Sequence, residues 1–255
     1  MGIYDRDYIF QRPGGRTGVG AWSANMWIIV INIAVHVLRM FLPKIQAPIF
    51  DTKGVDALYL YGHFSTFTVM WKGGLEFWRF ITFQFLHADP IHLGFNMLGL
   101  YMFGSLVEGH LGKKKYLAFY LTCGVFGALV FLLLNVIGLY VTKEGQATPM
   151  PFLLTSNERA PLIGASAGVF GVIMACAYIA PNTIVQLLFP PVSLRMRTMA
   201  YAYVALAGIN LIFSGANKGG DAAHIGGAIA GYFFIRHSHL LRDFCLLYTS
   251  PSPRD

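Results

Sequence analysis

Three features of this sequence predict an all-α membrane protein, a bundle of six transmembrane helices with its N-terminus in the cytoplasm. Of the 255 residues, 55% are hydrophobic and 12% charged, whereas soluble domains are roughly a quarter charged. The apolar residues gather in six runs, and a hydrocarbon core about 30 Å thick needs roughly 20 such residues per helix, fewer where neighbours bury the span. Lys and Arg recur at alternate ends of those runs, the pattern of loops retained in the cytoplasm. The formal net charge of +7 therefore reports topology. No basic face interleaved with aromatics is present, which argues against a nucleic-acid partner and leaves the lipid bilayer as the expected surroundings.

The elements follow in order. Residues 1–20 carry Arg6, Arg12 and Arg16 and read as a cytoplasmic segment without a cleavable signal peptide. Span one covers 21–42, with Asn32 and His36 as packing residues. The stretch 43–86 is basic in places (Lys44, Lys53, Lys72, Arg79) and rich in aromatics (Trp71, Phe77, Trp78, Phe80), so a structured element at the outer interface is expected. Span two is 90–111, with Met97 and Met102 as packing residues, and Lys113, Lys114 and Lys115 turn the chain at the inner face into span three, 116–141. Span four is 162–180; Arg195 and Arg197 precede span five, 199–213; span six is 222–235, followed by Arg236 and Arg242. The outer loops are balanced in charge, Lys143 with Glu144, Glu158 with Arg159, and Lys218 with Asp221. The glycine-containing loop from Ser214 to Asp221 is expected to be a mobile cap. Cys123 and Cys176 lie within spans at no metal-ligand spacing, so neither a disulfide framework nor a zinc cluster is indicated.

The domain proper is 21–244. The last eleven residues, Cys245 to Asp255, resemble the translation of a transposase-type sequencing adapter and are set aside from the fold.

Chemistry enters with Ser166, in the run Gly164-Ala165-Ser166-Ala167-Gly168-Val169-Phe170-Gly171. Small residues alone imply only close helix packing. Two other segments add reactive groups: His224 in Ala222 to Gly231, and His87, His92 and Asn96 around the start of span two. With six spans, spans two, four and six enter from the outer side, so His92, Asn96, Ser166 and His224 share a depth on the order of 5 to 12 Å at 1.5 Å per residue. A serine hydroxyl needs a base to take its proton, and neutral imidazole is suited to that at physiological pH. His224 is the candidate base. Gly164 with Gly168, and Gly227 with Gly231, give the four-residue spacing that would let the two helices meet. Acyl transfer also needs donors for the developing oxyanion; His92 and Asn96, spaced i and i+4, share a helix face, and the Ser166 N–H at a helix start is a third. A metal is not expected, because His87 and His92 are five residues apart and lack the His-Glu-x-x-His pattern.

These motifs, in this order and at these intervals, resemble the rhomboid intramembrane serine proteases across all six spans. The matching residues are Trp78-Arg79, His87 with His92 and Asn96, Glu108, Gly164-x-Ser166-x-Gly168, and Ala223-His224-x-x-Gly227-x-x-x-Gly231. The resemblance implies a Ser166–His224 dyad with no acidic third member, an oxyanion site from His92, Asn96 and backbone N–H, and cleavage of membrane-anchored proteins without metal or cofactor. His87 would support the site, and Trp78, Arg79 and Glu108 would be structural. Phe170 departs from the pattern: many bacterial rhomboids carry Tyr there, stacked beneath the histidine, and Phe keeps the stacking while losing the hydroxyl. Asp89 and Asp221 read as solvated loop residues.

The expectation is thus a serine endopeptidase in a bacterial inner membrane, acting on single-span transmembrane substrates whose helices unwind near the outer interface. An inactive rhomboid-like binding protein is the first rival, countered by the presence of both Ser166 and His224. A small transporter is the second, countered by the lack of broken-helix pairs and internal repeats.

Overall fold

The computed structural model describes residues 22–45, 54–71, 76–141, 158–187, 191–213 and 217–241. The N-terminal segment, Lys143, Glu144, Ser214 and the adapter-like tail lie outside them. The elements run α1 (Ala24–Phe41), a small hairpin β1 (Lys44–Ile45) and β2 (Val55–Asp56), α2 (Ala57–Gly62), a π-helical turn (Phe67–Trp71), α3 (Arg79–Thr82), α4 (Pro90–Gly99), a second π-helical turn (Leu100–Gly104) and α5 (Ser105–Leu111). After these come α6 (Lys113–Val141), α7 (Ser166–Ile179), a second hairpin β3 (Ile184–Gln186) and β4 (Ser193–Arg195), α8 (Met196–Phe213) and α9 (Lys218–Arg236).

The architecture is an all-α membrane bundle. Four stretches are long and apolar enough to cross a membrane by length and composition: Ala24–Phe41, Pro90–Leu111, Lys113–Val141 and Met196–Phe213. Their outward faces carry large exposed apolar side chains, among them Phe41, Leu133, Leu206 and Phe213, a distribution that fits lipid better than water. The 14-residue α7 spans only about 21 Å, yet ten of its residues between Ala167 and Ala177, on every face, are buried. It is the central helix, packed against α4, α6, α8 and α9, so protein surrounds it where lipid would otherwise have to thin.

Local chemistry explains how the outer helices attach. Ser23 caps α1, its Oγ accepting the Met26 N–H at 3.0 Å. Glu108 accepts the N–H groups of Ala24 and Asn25 at 2.8 and 3.0 Å, placing a carboxylate where the α1 dipole is positive. Asn25 then donates to the Leu100 carbonyl at 2.9 Å and accepts from the Tyr116 hydroxyl at 2.7 Å. That carbonyl opens the π-helical turn between α4 and α5, where the widened ladder offers backbone groups to a neighbouring helix. Gly104 in the same turn leaves room for the Asn25 amide, which a Cβ would overlap.

The connection from 43 to 86 contains the two short strands, α2, a π-helical turn and α3. Arg79 is fully buried at its base. Its guanidinium pairs with Glu76 at 2.5 Å and donates to the carbonyls of His63 and Leu60 at 2.6 and 3.1 Å. Trp78 donates its indole N–H to the Tyr61 carbonyl at 3.0 Å. A separate clasp ties this region to α1: Arg39 contacts Asp56 at 3.1 Å and donates to the His87 carbonyl at 2.8 Å. Burial works against the Asp56 charge, but the Tyr59 N–H and the Arg39 guanidinium outweigh it and hold the carboxyl below its ordinary range.

Four predicted boundaries need correction: α6 begins at Lys113 rather than 116 and α8 at Met196 rather than 199, so Lys113 to Lys115 and Arg197 are helical, and two others move by a full turn. The fourth span was expected from residue 162, but the helix begins at Ser166; Leu162 instead bridges Phe64 in both directions, N–H to carbonyl, at 3.1 and 2.7 Å. The last helix begins at Lys218 rather than 222, so Lys218 to Asp221 are helical and not part of a loop.

Candidate active site

Asp89 launches the first wall of the site. Its carboxylate accepts the N–H groups of Ile91 and His92 at 2.8 and 2.9 Å, and Pro90 occupies the first helical position, where its missing N–H costs nothing. Those two bonds, that of His92 foremost, hold the Asp89 carboxyl below its usual range. His92 thereby falls in the first turn of α4, and Asn96 lies one turn further on, its Nδ2 donating to the His92 carbonyl at 2.9 Å.

The second wall begins at Gly164. Its N–H donates to the Phe83 carbonyl at 3.0 Å and its φ is 126°, a conformation side chains resist. A Cβ there would also lie 2.9 Å from the His92 ring. Ala165 follows, its N–H 3.4 Å from Nε2 of His87. His87 is fully buried, and its ring meets that of His92 edge-on at 5.0 Å. Burial, with the neighbouring His92, pushes the His87 imidazole down to about 3, so the ring is neutral and its Nε2 faces the Ala165 N–H as an acceptor. The chain then turns into α7 at Ser166, whose N–H is one of the unpaired donors at a helix start.

Ser166 Oγ lies 2.8 Å from Nε2 of His224 on α9. Phe170, one turn below the serine, stacks on the imidazole at 4.3 Å with 4° between planes. The helices meet through a seam of small residues. A Cβ on Gly227 would overlap the Ala167 carbonyl, and one on Gly231 would overlap the Gly171 backbone. Gly171, unremarked in the sequence, is thus the α7 partner of that seam. Gly168 faces the Tyr120 ring on α6, and Gly164 precedes the helix against His92, so neither belongs to the α7–α9 contact for which their spacing suggested them.

A cavity of about 700 Å³ opens beside the pair, lined by His92, Asn96, Phe95, Ser166, Tyr203 and His224, among others. The apolar wall continues through Phe103, Ile173 and Leu187. Among the described residues no group of three or more His, Cys, Asp or Glu is arranged to hold a metal ion. Asp221 is not solvated as expected. It is 5% exposed, and its carboxylate is 3.8 Å from Nδ1 of His224; the earlier start of α9 places it one turn before the histidine, on the buried face. Asp89, by contrast, is exposed.

Chemically, the arrangement offers a hydroxyl bonded to an imidazole, a set of N–H donors beside it, and an apolar cavity leading away. Residues 74–239 match the family model described as the Rhomboid domain. The chain is similar to rhomboid protease AarA of Providencia stuartii, 26% identical over 93% of this chain and 82% of that protein. It is 28% identical to rhomboid protease GluP of Bacillus subtilis over 79% of this chain but 32% of that protein, and 30% identical to presenilin-associated rhomboid-like protein A of Danio rerio, a mitochondrial protein, over 62% of this chain and 37% of that one. With the domain match covering well over half of the sequence, the chain belongs to the rhomboid family.

Proposed function

We propose that the protein is an intramembrane serine endopeptidase that cleaves transmembrane or membrane-anchored proteins near the outer face of the bilayer. The observation that carries this reading is the 2.8 Å contact between Ser166 Oγ and His224 Nε2 at the head of the cavity. His224 takes the serine proton as Oγ attacks the scissile carbonyl, then returns it to the leaving amine; water hydrolyses the acyl-enzyme with the histidine again as base. The Ser166 N–H, His92 and Asn96 stabilise the oxyanion, Asn96 after turning its second amide hydrogen toward the site. Phe170 keeps the ring plane, and the small-residue seam fixes the distance between the two helices.

The substrates in this reading are single-span proteins. A helix that unwinds at the interface exposes a carbonyl otherwise locked in its backbone ladder, and the apolar cavity wall receives the side chains beside the cleaved bond. In this reading the N-terminus is cytoplasmic and all six predicted spans, the shorter α7 among them, cross a bacterial inner membrane. Cysteine-accessibility mapping should place Lys114 inside and Lys218 outside; the same side for both would break the shared-depth geometry.

The test is cleavage of a model transmembrane substrate together with labelling by a fluorophosphonate in detergent. Wild type should do both. Ser166→Ala should do neither while remaining folded, and His224→Ala should be as inactive, with the double variant no worse than either single one. Cleavage by Ser166→Ala, or no labelling of folded wild type, would sink the reading.

A further inference from the structure

Resting on that reading, the geometry points to Asp221 as a positioning residue that holds His224 in the tautomer protonated at Nδ1, leaving Nε2 free for the serine proton. Asp221 and His224 are three residues apart on α9, so they share a face. The carboxylate is 5% exposed, and a carboxylate so placed is costly without a compensating partner. The helix cap, Asn217, makes no side-chain capping bond. Among the described residues, the ion-pair contact of Asp221 is to His224 Nδ1 at 3.8 Å. The opposite ring nitrogen faces Ser166. Stacking on Phe170 fixes the plane of the ring but not which nitrogen bears the proton; a carboxylate at Nδ1 decides that.

The other groups around the ring do not offer the same service. His92 faces it across the cavity from α4, Tyr203 lines the cavity from α8, and Lys218 lies one turn before Asp221 on α9. The α6 surface packed against α9 contributes Phe126, Val130 and Phe131. Asp89 is engaged by the N–H groups of α4. In the reaction, the Ser166 O–H bond breaks and its proton passes to Nε2 as the Oγ–carbon bond forms and the carbonyl electron pair moves to oxygen. The imidazolium then carries Nδ1–H toward Asp221, which stays ionised, and Nε2 gives its proton to the amine when the C–N bond breaks. A gap of 3.8 Å is long for a hydrogen bond; resting sites of this kind tighten once the imidazolium forms.

Asp221→Asn, compared with wild type, decides the matter in two ways. In the cleavage assay kcat should fall about 10- to 100-fold with KM little changed, because the ring then spends part of its time in the wrong tautomer. Asp221→Glu should recover part of the rate. A merely structural role would lower the yield of folded protein, with no recovery specific to a carboxylate; kcat within twofold of wild type in folded Asp221→Asn, or a lowered kcat that Asp221→Glu does not raise, overturns the proposal. The second readout needs no turnover: a far-downfield imidazole proton in the 1H NMR spectrum of protein acidified until the ring is imidazolium, present in wild type and Ser166→Ala and absent from Asp221→Asn and His224→Ala. Its persistence in folded Asp221→Asn would overturn the proposal even if the protease reading had failed in the cleavage assay.

Discussion

The two sides of Ser166 are built in opposite ways. Toward α9, backbone meets backbone: Ala167 and Gly171 lie against Gly227 and Gly231 so closely that no Cβ fits at either α9 glycine. Toward α4 and α8 the same helix faces a cavity of about 700 Å³, and Phe95 on the α4 wall is 66% exposed. Interfaces inside a membrane gain from van der Waals contact between small residues, so the α7–α9 seam is where the bundle has least freedom. Ser166 and His224 straddle the tight side, and the oxyanion candidates His92 and Asn96 stand on the open one. Rigidity is thus concentrated at the 2.8 Å Ser166–His224 contact, and space is left on the side where the proposed function would admit a polypeptide.

The largest break in that contrast should come from one methyl group in the seam. Gly227→Ala drives a Cβ into the Ala167 carbonyl, next to Ser166, and backbone cannot swing aside as a side chain can. Overpacking of this kind costs about 1 to 3 kcal/mol, and cleavage should fall more than about a hundredfold because a displacement of about 1 Å suffices for that. Gly208→Ala is the control. It lies on α8 with nothing within 4 Å of the added Cβ, so stability should be equal or higher by up to about 1 kcal/mol. Equal thermal stability of the two variants in detergent would show that the seam is not tight.

Next in size is Asn96→Ala on the open side. Losing one preorganised donor typically lowers turnover by about a hundred- to a thousandfold, and as Asn96 donates elsewhere in this structure, to the His92 carbonyl, an effect as small as tenfold is consistent with the role. Fluorophosphonate labelling should be slowed but not lost, and the unfolding temperature little changed. Complete loss of labelling in a folded variant would place Asn96 in the scaffold of the pair instead.

Much of this division was legible before the fold. The expectation that His92, Asn96, Ser166 and His224 share one depth followed from basic loops and span lengths; what the structure shows is that all four line one cavity. What escaped was set by tertiary contact. Apolarity runs unbroken through Leu162 and Ile163, so composition extends the helix upstream; Gly164, with its φ of 126° and its bond to Phe83, stops it. The π-helical turn after Gly99 depends on Asn25, distant in sequence. Gly168 and Gly171 sit equally well in a small-residue stripe, and only the rotation of α7 decides which meets α9 and which meets Tyr120. Asp221 looked solvated because glycines before it suggested a loop, whereas those glycines lie inside the first turn of α9.

His87 ties the start of α7 to the α4 side and should make the assembly sensitive to acid. Its buried ring is held down to about 3, against about 6.5 in an unfolded chain. Because the folded pKa is the lower, the unfolded state binds the proton first; stability is intact above about 6.5 and is lost as pH falls from there toward 3. Between pH 6.5 and 5 the loss should be about 2 kcal/mol. Unfolding of wild type in detergent should show that slope, and His87→Phe, which cannot bind the proton, should be flatter over the same interval whatever its absolute stability. Parallel slopes would mean that His87 is not the group whose protonation couples to unfolding.

The smallest effect expected belongs to the cavity wall, and it separates the two regions most cleanly. Phe95 is one residue before Asn96, yet its ring faces the open side and is mostly exposed. Phe95→Ala should therefore leave stability within about 0.5 kcal/mol of wild type, as for most exposed substitutions. If the wall receives side chains flanking the cleaved bond, KM should rise a few-fold while kcat is preserved, the signature of binding shared equally by ground and transition states. The rise should vary between substrates with large and small residues near the cleavage site, since a smaller ring leaves room that only the larger residue fills. A fall in kcat without change in KM would mean that Phe95 acts through Asn96 and that the open wall is as tightly coupled to the chemistry as the seam.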